Sequence, residues 1–163
     1  LNQNLRETHG YTYGANSSFA MRRMAGPFQA GASVQSAKTD SALIEFLREL
    51  RRIRDEAVPQ AELDKAKAYL ALSLPGDFET TSGSAGQFSS LLTFGLPLDY
   101  YNSYVARINA VTAADVQRVA RQYLDLDRFT IVVVGDRSQI EAGIRALNEG
   151  PISMRDLWGQ EIR

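Results

Sequence analysis

The stretch LRETHGYTYG, Leu5–Gly14, takes the chain from a helix into a strand within ten residues. Residues 1–9 read as the last turns of a helix, Gly10 as its stop, and Tyr11 as the start of a period-two alternation. The junction sets Arg6 and Tyr13 seven positions apart, one on each side of the glycine. Arg6 brings five fixed donors and a permanent charge, suited to carbonyls and carboxylates. Tyr13 brings a phenolic donor on a rigid ring, a group that can stabilise a developing oxyanion. Taken alone, the pair fits plainer roles better: an arginine capping its own helix and a tyrosine packed on a sheet.

Outward from this junction the pattern alternates and then turns helical. Tyr11, Tyr13, Ala15 and Phe19 share one parity, and Phe28, Ala30, Ala32 and Val34 alternate with Gln29, Gly31, Ser33 and Gln35. This predicts an antiparallel pair over 11–19 and 27–35, joined by AMRRMAG. The polar face carrying Gln29, Ser33 and Gln35 is expected to be accessible. Asp40 is the expected N-cap of a helix with Leu43, Leu47, Leu50 and Ile53 on one stripe. Pro59 opens the next helix, with Leu63, Ala66, Leu70 and Leu74 inward and Pro75-Gly76 ending it.

A third helix is expected between Thr80 and Phe94, and a fourth capped by Asp99 with Tyr101, Tyr104, Val105 and Ile108 on its apolar side. Thr112 and Asp115 form a capping box for a fifth. FTIVVV, 129–134, is continuous and β-branched, which predicts a central strand buried on both faces. Ser138 and Glu141 form a second capping box, for a helix with Ile140, Ile144 and Leu147 inward. In the tail, Ile152, Met154, Leu157 and Trp158 are expected to pack. Three strands and about five complete helices define an α+β, two-layer domain of sheet and helices. The mid-helix start and the shortage of strands lead to the expectation that upstream sequence supplies the rest of the sheet.

Composition narrows the function classes. The 163 residues suit one domain, able to bury roughly 68–70% of the unfolded chain's surface. Eighteen basic residues stand against 19 acidic ones, and Arg48, Arg51, Arg52 and Arg54 are interleaved with Glu45, Glu49, Asp55 and Glu56. That pattern is a solvated helix face with local ion pairs, so nucleic acid is not an expected partner. No apolar run approaches the ~20 residues of a membrane span. The terminus lacks the apolar stretch of a signal peptide, and the compartment stays open. There is no cysteine, which removes disulfides, thiolate zinc sites and a cysteine nucleophile.

His9 is the one histidine, and no H-x-x-E-H or H-E-x-x-H spacing exists, so no metal site is expected within this chain. His9 reads instead as a partner for its helix end. SGSAG, 82–86, lacks the lysine of a phosphate loop and reads as a closely packed or flexible helix start. The cluster Tyr100, Tyr101 and Tyr104 reads as core or rim. Self-contained active-site chemistry is not legible.

Four segments, taken in order, resemble one family: LNQNLRETHGYTYGANSSF, ELDKAKAYL, LPLDYYNSYVARINAVTAADVQRVARQYL and FTIVVVGD. They look like the C-terminal, H-x-x-E-H-lacking domain of the insulinase (pitrilysin) family of zinc metallopeptidases, similar to mitochondrial processing peptidase subunits. The resemblance covers 1–150 as the C-terminal part of such a domain and leaves 151–163 as a tail. It implies a processing-peptidase-like fold, truncated at its N-terminus, and a half-molecule that closes on a homologous half around a peptide chamber.

In that family the facing half contributes arginine and tyrosine from an L-R-x-x-x-x-x-x-Y stretch, matched here by Leu5, Arg6 and Tyr13. The resemblance therefore implies substrate binding for Arg6 and Tyr13, and the oxyanion-donor role for Tyr13. Tyr11 is the competitor, sharing a strand face without the matching spacing. His9 departs from a position that is often basic. Zinc is implied in the partner domain or subunit, none in this chain, and the fragment alone is expected to be inactive. Further expectations are a peptide substrate and a dimer or larger assembly. A periplasmic or cell-envelope location in a bacterium follows from the resemblance alone. A non-catalytic scaffold or peptide-holding subunit is the alternative, and the matched Arg6 and Tyr13 favour catalysis.

Overall fold

In the computed structural model, which describes residues 1–162, Gly10 stands at φ +63°. This left-handed position suits glycine. It lets the amides of Gly10 and Tyr11 turn back onto the carbonyls of Arg6 (3.0 Å) and Leu5 (2.9 Å). The turn they close, Gln3–Thr8, is a π-helix with Leu5 fully buried. Strand β1 (Thr12–Phe19) follows and pairs with β2 (Phe28–Val34) in a two-stranded sheet. On β2 the expected parity holds, with Phe28, Ala30, Ala32 and Val34 half-buried and Gln29, Ser33 and Gln35 exposed.

Six α-helices complete the inventory among the described residues: α1 (Thr39–Asp55), α2 (Gln60–Asp77), α3 (Thr81–Phe94), α4 (Tyr104–Ala110), α5 (Ala113–Tyr123) and α6 (Arg137–Leu147). The fold is α+β, as the patterning predicts. By contacts the chain divides into two compact units. One comprises 1–17, 30–49 and 130 onward, and the other 18–29 and 50–129.

In the first unit, Ala42 and Leu47 of α1 are buried with Leu5. A short 3-10 turn, Ser36–Lys38, runs straight into α1, so Asp40 lies inside the first turn rather than at the N-cap. Gly143 of α6 approaches Asp40 so closely that a Cβ there would meet the Asp40 Cβ at 3.1 Å. The N-cap of α6 is Asp136, whose carboxylate accepts from the Ser138 amide (3.0 Å) and hydroxyl (2.7 Å). The box expected at Ser138 and Glu141 is therefore replaced. An aspartate two residues earlier satisfies the free amides, and Glu141 pairs instead with Arg137 and Arg145.

In the second unit, Leu50, Leu63, Leu91, Ala120 and Leu124 are buried. The α5 side chains Gln117 and Arg121 donate to the carbonyls of Asp55 (2.8 Å) and Arg54 (3.1 Å), groups that the end of α1 leaves unpaired. Helix α3 begins at the Thr80 cap and stops at Gly95, φ 65°, as expected. The tyrosine cluster is a half-buried rim, with Phe78 and Tyr101 edge to face at 5.0 Å and the Tyr101 hydroxyl donating to Gln87 (2.6 Å). Tyr101 has a raised pKa, chiefly because burial disfavours the phenolate.

Further expectations in these elements are corrected. Pro75 does not end α2, which continues to Asp77. It sits in the final turn, and the turn's last amides still find partners. Asp99 precedes a 3-10 turn, Tyr100–Ser103, before α4, and its side chain makes no cap bond. Ala66, Leu70 and Ile53 are exposed, which narrows the apolar stripes of α1 and α2.

The largest departure is FTIVVV. Among the described residues no segment pairs with it, so it is not a strand, and Val132 and Val134 are 78% and 87% exposed. High β-propensity is a demand for neighbours on a pleated surface, not a backbone preference that holds without them. Leu157 and Trp158 of the tail are exposed as well, at the tip of a turn closed by an Arg155–Glu161 bridge. Arg163 lies outside the described residues.

Candidate functional site

The site is built at the junction quoted above. Asn4, on the π-helical turn, donates through Nδ2 to Glu45 Oε2 and Glu49 Oε1, both at 3.0 Å. Glu45 is buried, unusual for a carboxylate, and is also paired with Arg48 at 2.6 Å. Its Oε2 stands 3.9 Å from His9 Nε2. These contacts fasten the turn to α1 and so fix the backbone that carries Arg6. Asn2 Oδ1 accepts from the Ala15 amide at 3.2 Å, tying the same turn to β1.

Strand β1 presents Thr12 inward and Tyr13 outward. Thr12 is buried and donates through Oγ1 to the Ser33 carbonyl of β2 (2.6 Å). The alternation then leaves Tyr13 89% exposed. The guanidinium carbon of Arg6 stands 5.2 Å from the centre of the Tyr13 ring, within cation–π reach. Arg6 Nε also lies 3.4 Å from Glu7, an exposed ion pair of small energetic weight. Tyr11 is held differently, stacked on His9 with centroids 4.9 Å apart and planes at 16°.

Thr12, Tyr13, Gly14, Ala15 and Asn16 of β1, with Gly31, Ala32 and Ser33 of β2, line an open groove of about 550 Å³. Its walls mix backbone amides, hydroxyls and small side chains, a lining able to accept polypeptide backbone. Arg6 and Tyr13, chosen from the sequence, therefore stand together, with Tyr13 in the groove wall. Sequence reading missed Asn4, Glu45 and Glu49 as supports. They are 41 and 45 residues apart along the chain, and no local spacing signals the contact. Among the described residues, no group of three or more His, Cys, Asp or Glu side chains could hold a metal ion. Among the same residues, no helix is long and apolar enough to cross a membrane.

Residues 1–70, which carry this entire site, match the family described as the peptidase M16 inactive domain. The solved structure of a peptidase M16 inactive domain from Pseudomonas fluorescens is similar, with 25% identity and a TM-score of 0.66 over 77% of this chain and 30% of that one. A protease from Helicobacter pylori shares the fold at 23% identity and a TM-score of 0.65, over 76% of this chain and 30% of its own. So does a conserved protein from Enterococcus faecalis, at 22% and 0.64, over 74% and 28%. The chain thus spans less than a third of the length of these solved structures. No curated protein matches it. The family match and the shared fold are consistent with a C-terminal domain of the insulinase family, the class the sequence resembles.

Proposed function

We propose that this chain forms half of the peptide chamber of a zinc-dependent peptidase and supplies Arg6 and Tyr13 to the substrate. The observation that carries this reading is the Arg6 guanidinium 5.2 Å from the Tyr13 ring, beside a groove of peptide-compatible lining. The residues of this chain do not fit a zinc site, so the metal is assigned to a homologous half bearing H-x-x-E-H. What zinc supplies there is polarisation of the scissile carbonyl and activation of water.

The work of this chain is separate. Arg6 leaves the Tyr13 ring to grip a substrate carbonyl or carboxylate with its planar fork. The exposed Tyr13 hydroxyl donates to the oxyanion that develops as the carbonyl becomes tetrahedral. The groove holds the flanking backbone. The alternative, a scaffold that holds peptide without assisting its cleavage, is favoured by the description of the matching family as an inactive domain.

Kinetics on the complete assembly with its zinc-bearing half separate the two. Tyr13→Phe should lower kcat by roughly 10²–10³, the usual cost of one oxyanion donor. Its melting temperature should barely move. Arg6→Ala should chiefly raise KM, and Arg6→Lys should rescue it poorly. Tyr11→Phe, which keeps the ring stacked on His9, should retain activity. Full activity in Tyr13→Phe with loss in Tyr11→Phe would transfer the role to Tyr11. Unchanged turnover in all three site variants would leave the scaffold reading in place.

A further inference from the structure

The turn Gln3–Thr8 is π-helical, so its hydrogen bonds reach one residue further back than those of an α-helix. The His9 amide donates to the Asn4 carbonyl at 3.0 Å. In an α-turn the side chains of these two residues would point about 140° apart, because five residues overshoot a full circle. A turn closed over five residues instead brings the last back above the first. Asn4 and His9 therefore reach one acceptor from the two ends of the turn. Asn4 Nδ2 lies 3.0 Å, and His9 Nε2 3.9 Å, from Glu45 Oε2.

Glu45 is buried, and its other oxygen is taken by Arg48 at 2.6 Å. Glu49 accepts from the Asn4 end of the turn, whereas Glu45 stands at both ends. The Asn4 amide turns its nitrogen to the two carboxylates and leaves its Oδ1 buried without a partner among the described residues. An unpaired buried carbonyl is costly, so the glutamates hold the amide in place at the expense of its own oxygen.

We propose that Glu45 is a positioning residue for Arg6. By drawing Asn4 and His9 to one oxygen it holds the turn in its π register, and that register aims Arg6 at the face of Tyr13. The inference rests on the reading of Arg6 and Tyr13 as substrate contacts. Strand β1 is anchored separately, through Thr12 on the Ser33 carbonyl. A turn that relaxed to α register would therefore redirect Arg6 while Tyr13 stayed where it is, and the 5.2 Å approach of guanidinium to ring would be lost.

Nuclear magnetic resonance on the 163-residue chain reads this aim without reference to activity. The Arg6 side-chain protons should carry an upfield ring-current shift that Tyr13→Leu abolishes. Glu45→Asp keeps the charge but draws the carboxylate back by one methylene. It should lose that shift and lower the exchange protection of the His9 amide by about tenfold or more. Glu45→Gln keeps the reach and one acceptor oxygen, and should retain both signals. Asn4→Asp, of the same shape, sets a third carboxylate against two and should behave like Glu45→Asp. Circular dichroism checks that each variant keeps its helices.

In the complete assembly, Glu45→Asp should raise KM toward that of Arg6→Ala with little change in kcat. In the Arg6→Ala background it should add nothing, because its effect passes through Arg6. An equal rise in both backgrounds would show that Glu45 acts apart from Arg6, and would overturn the proposal. So would an Arg6 shift and a His9 amide that Glu45→Asp and Asn4→Asp leave unchanged. If Arg6→Ala itself leaves KM unaltered, the substrate reading fails instead, and the resonance data alone decide whether Glu45 aims Arg6.

Discussion

At the scale of single residues, the candidate site depends on one buried carboxylate. Glu45 receives Asn4 and Arg48 at 3.0 and 2.6 Å, and its burial is tolerable only because these partners replace water. Removing it leaves Asn4 with Glu49 alone and frees the turn that carries Arg6. Glu45→Ala is therefore expected to cost about 1–3 kcal/mol, with Glu45→Gln, which keeps one acceptor oxygen, losing less. Urea unfolding followed by circular dichroism measures both. A change within about 0.5 kcal/mol, typical of a surface substitution, would show that the turn is held by other contacts. The spacing of Arg6 and Tyr13 was legible in the sequence because both lie within one local junction. Glu45 was not, because on α1 it reads as one more polar position of an amphipathic helix.

At the scale of elements, the outcome for each helix start followed from how local its cap is. Thr112 and Asp115 form the complete box, with the Asp115 amide donating to Thr112 Oγ1 and the Thr112 amide to Asp115 Oδ2, each at 3.1 Å. At α6 the sequence offered two overlapping solutions. Asp136 prevailed over Ser138 because a charged acceptor there takes the Ser138 amide and the Ser138 hydroxyl together. Thr112→Ala should destabilise α5 by about 1 kcal/mol.

The same box predicts a pH dependence. Hydrogen bonds from the Thr112 side chain and amide, then from Arg118, hold the Asp115 carboxyl below its ordinary value of 3.8. A lowered folded pKa means that the stabilisation is fully present above the unfolded value and is lost as the pH falls through the folded one. Melting temperatures measured from neutral pH downward should fall more steeply for the native chain than for Asp115→Asn as acid is added. Parallel curves would remove Asp115 as a contributor.

At the scale of the whole molecule, the α+β class and the order of most elements were readable because helical stripes, caps and the β2 alternation are local signals. Burial was not, because it depends on neighbours that a local pattern does not identify. FTIVVV and the tail were read as packed from their composition, and apart from the half-buried Phe129 and Met154 their apolar residues are exposed. So are Met24 (84%) and Leu72 (80%).

The folded chain should consequently bind an apolar reporter dye while its circular dichroism remains native. The single tryptophan gives an independent reading. Trp158 is 86% exposed, so its emission should lie at the long wavelength of a hydrated indole and shift little on unfolding. A blue-shifted tryptophan in the chain alone, together with no dye binding, would mean that the tail and the other exposed apolar side chains are already covered. In that case these surfaces would not be available to a partner.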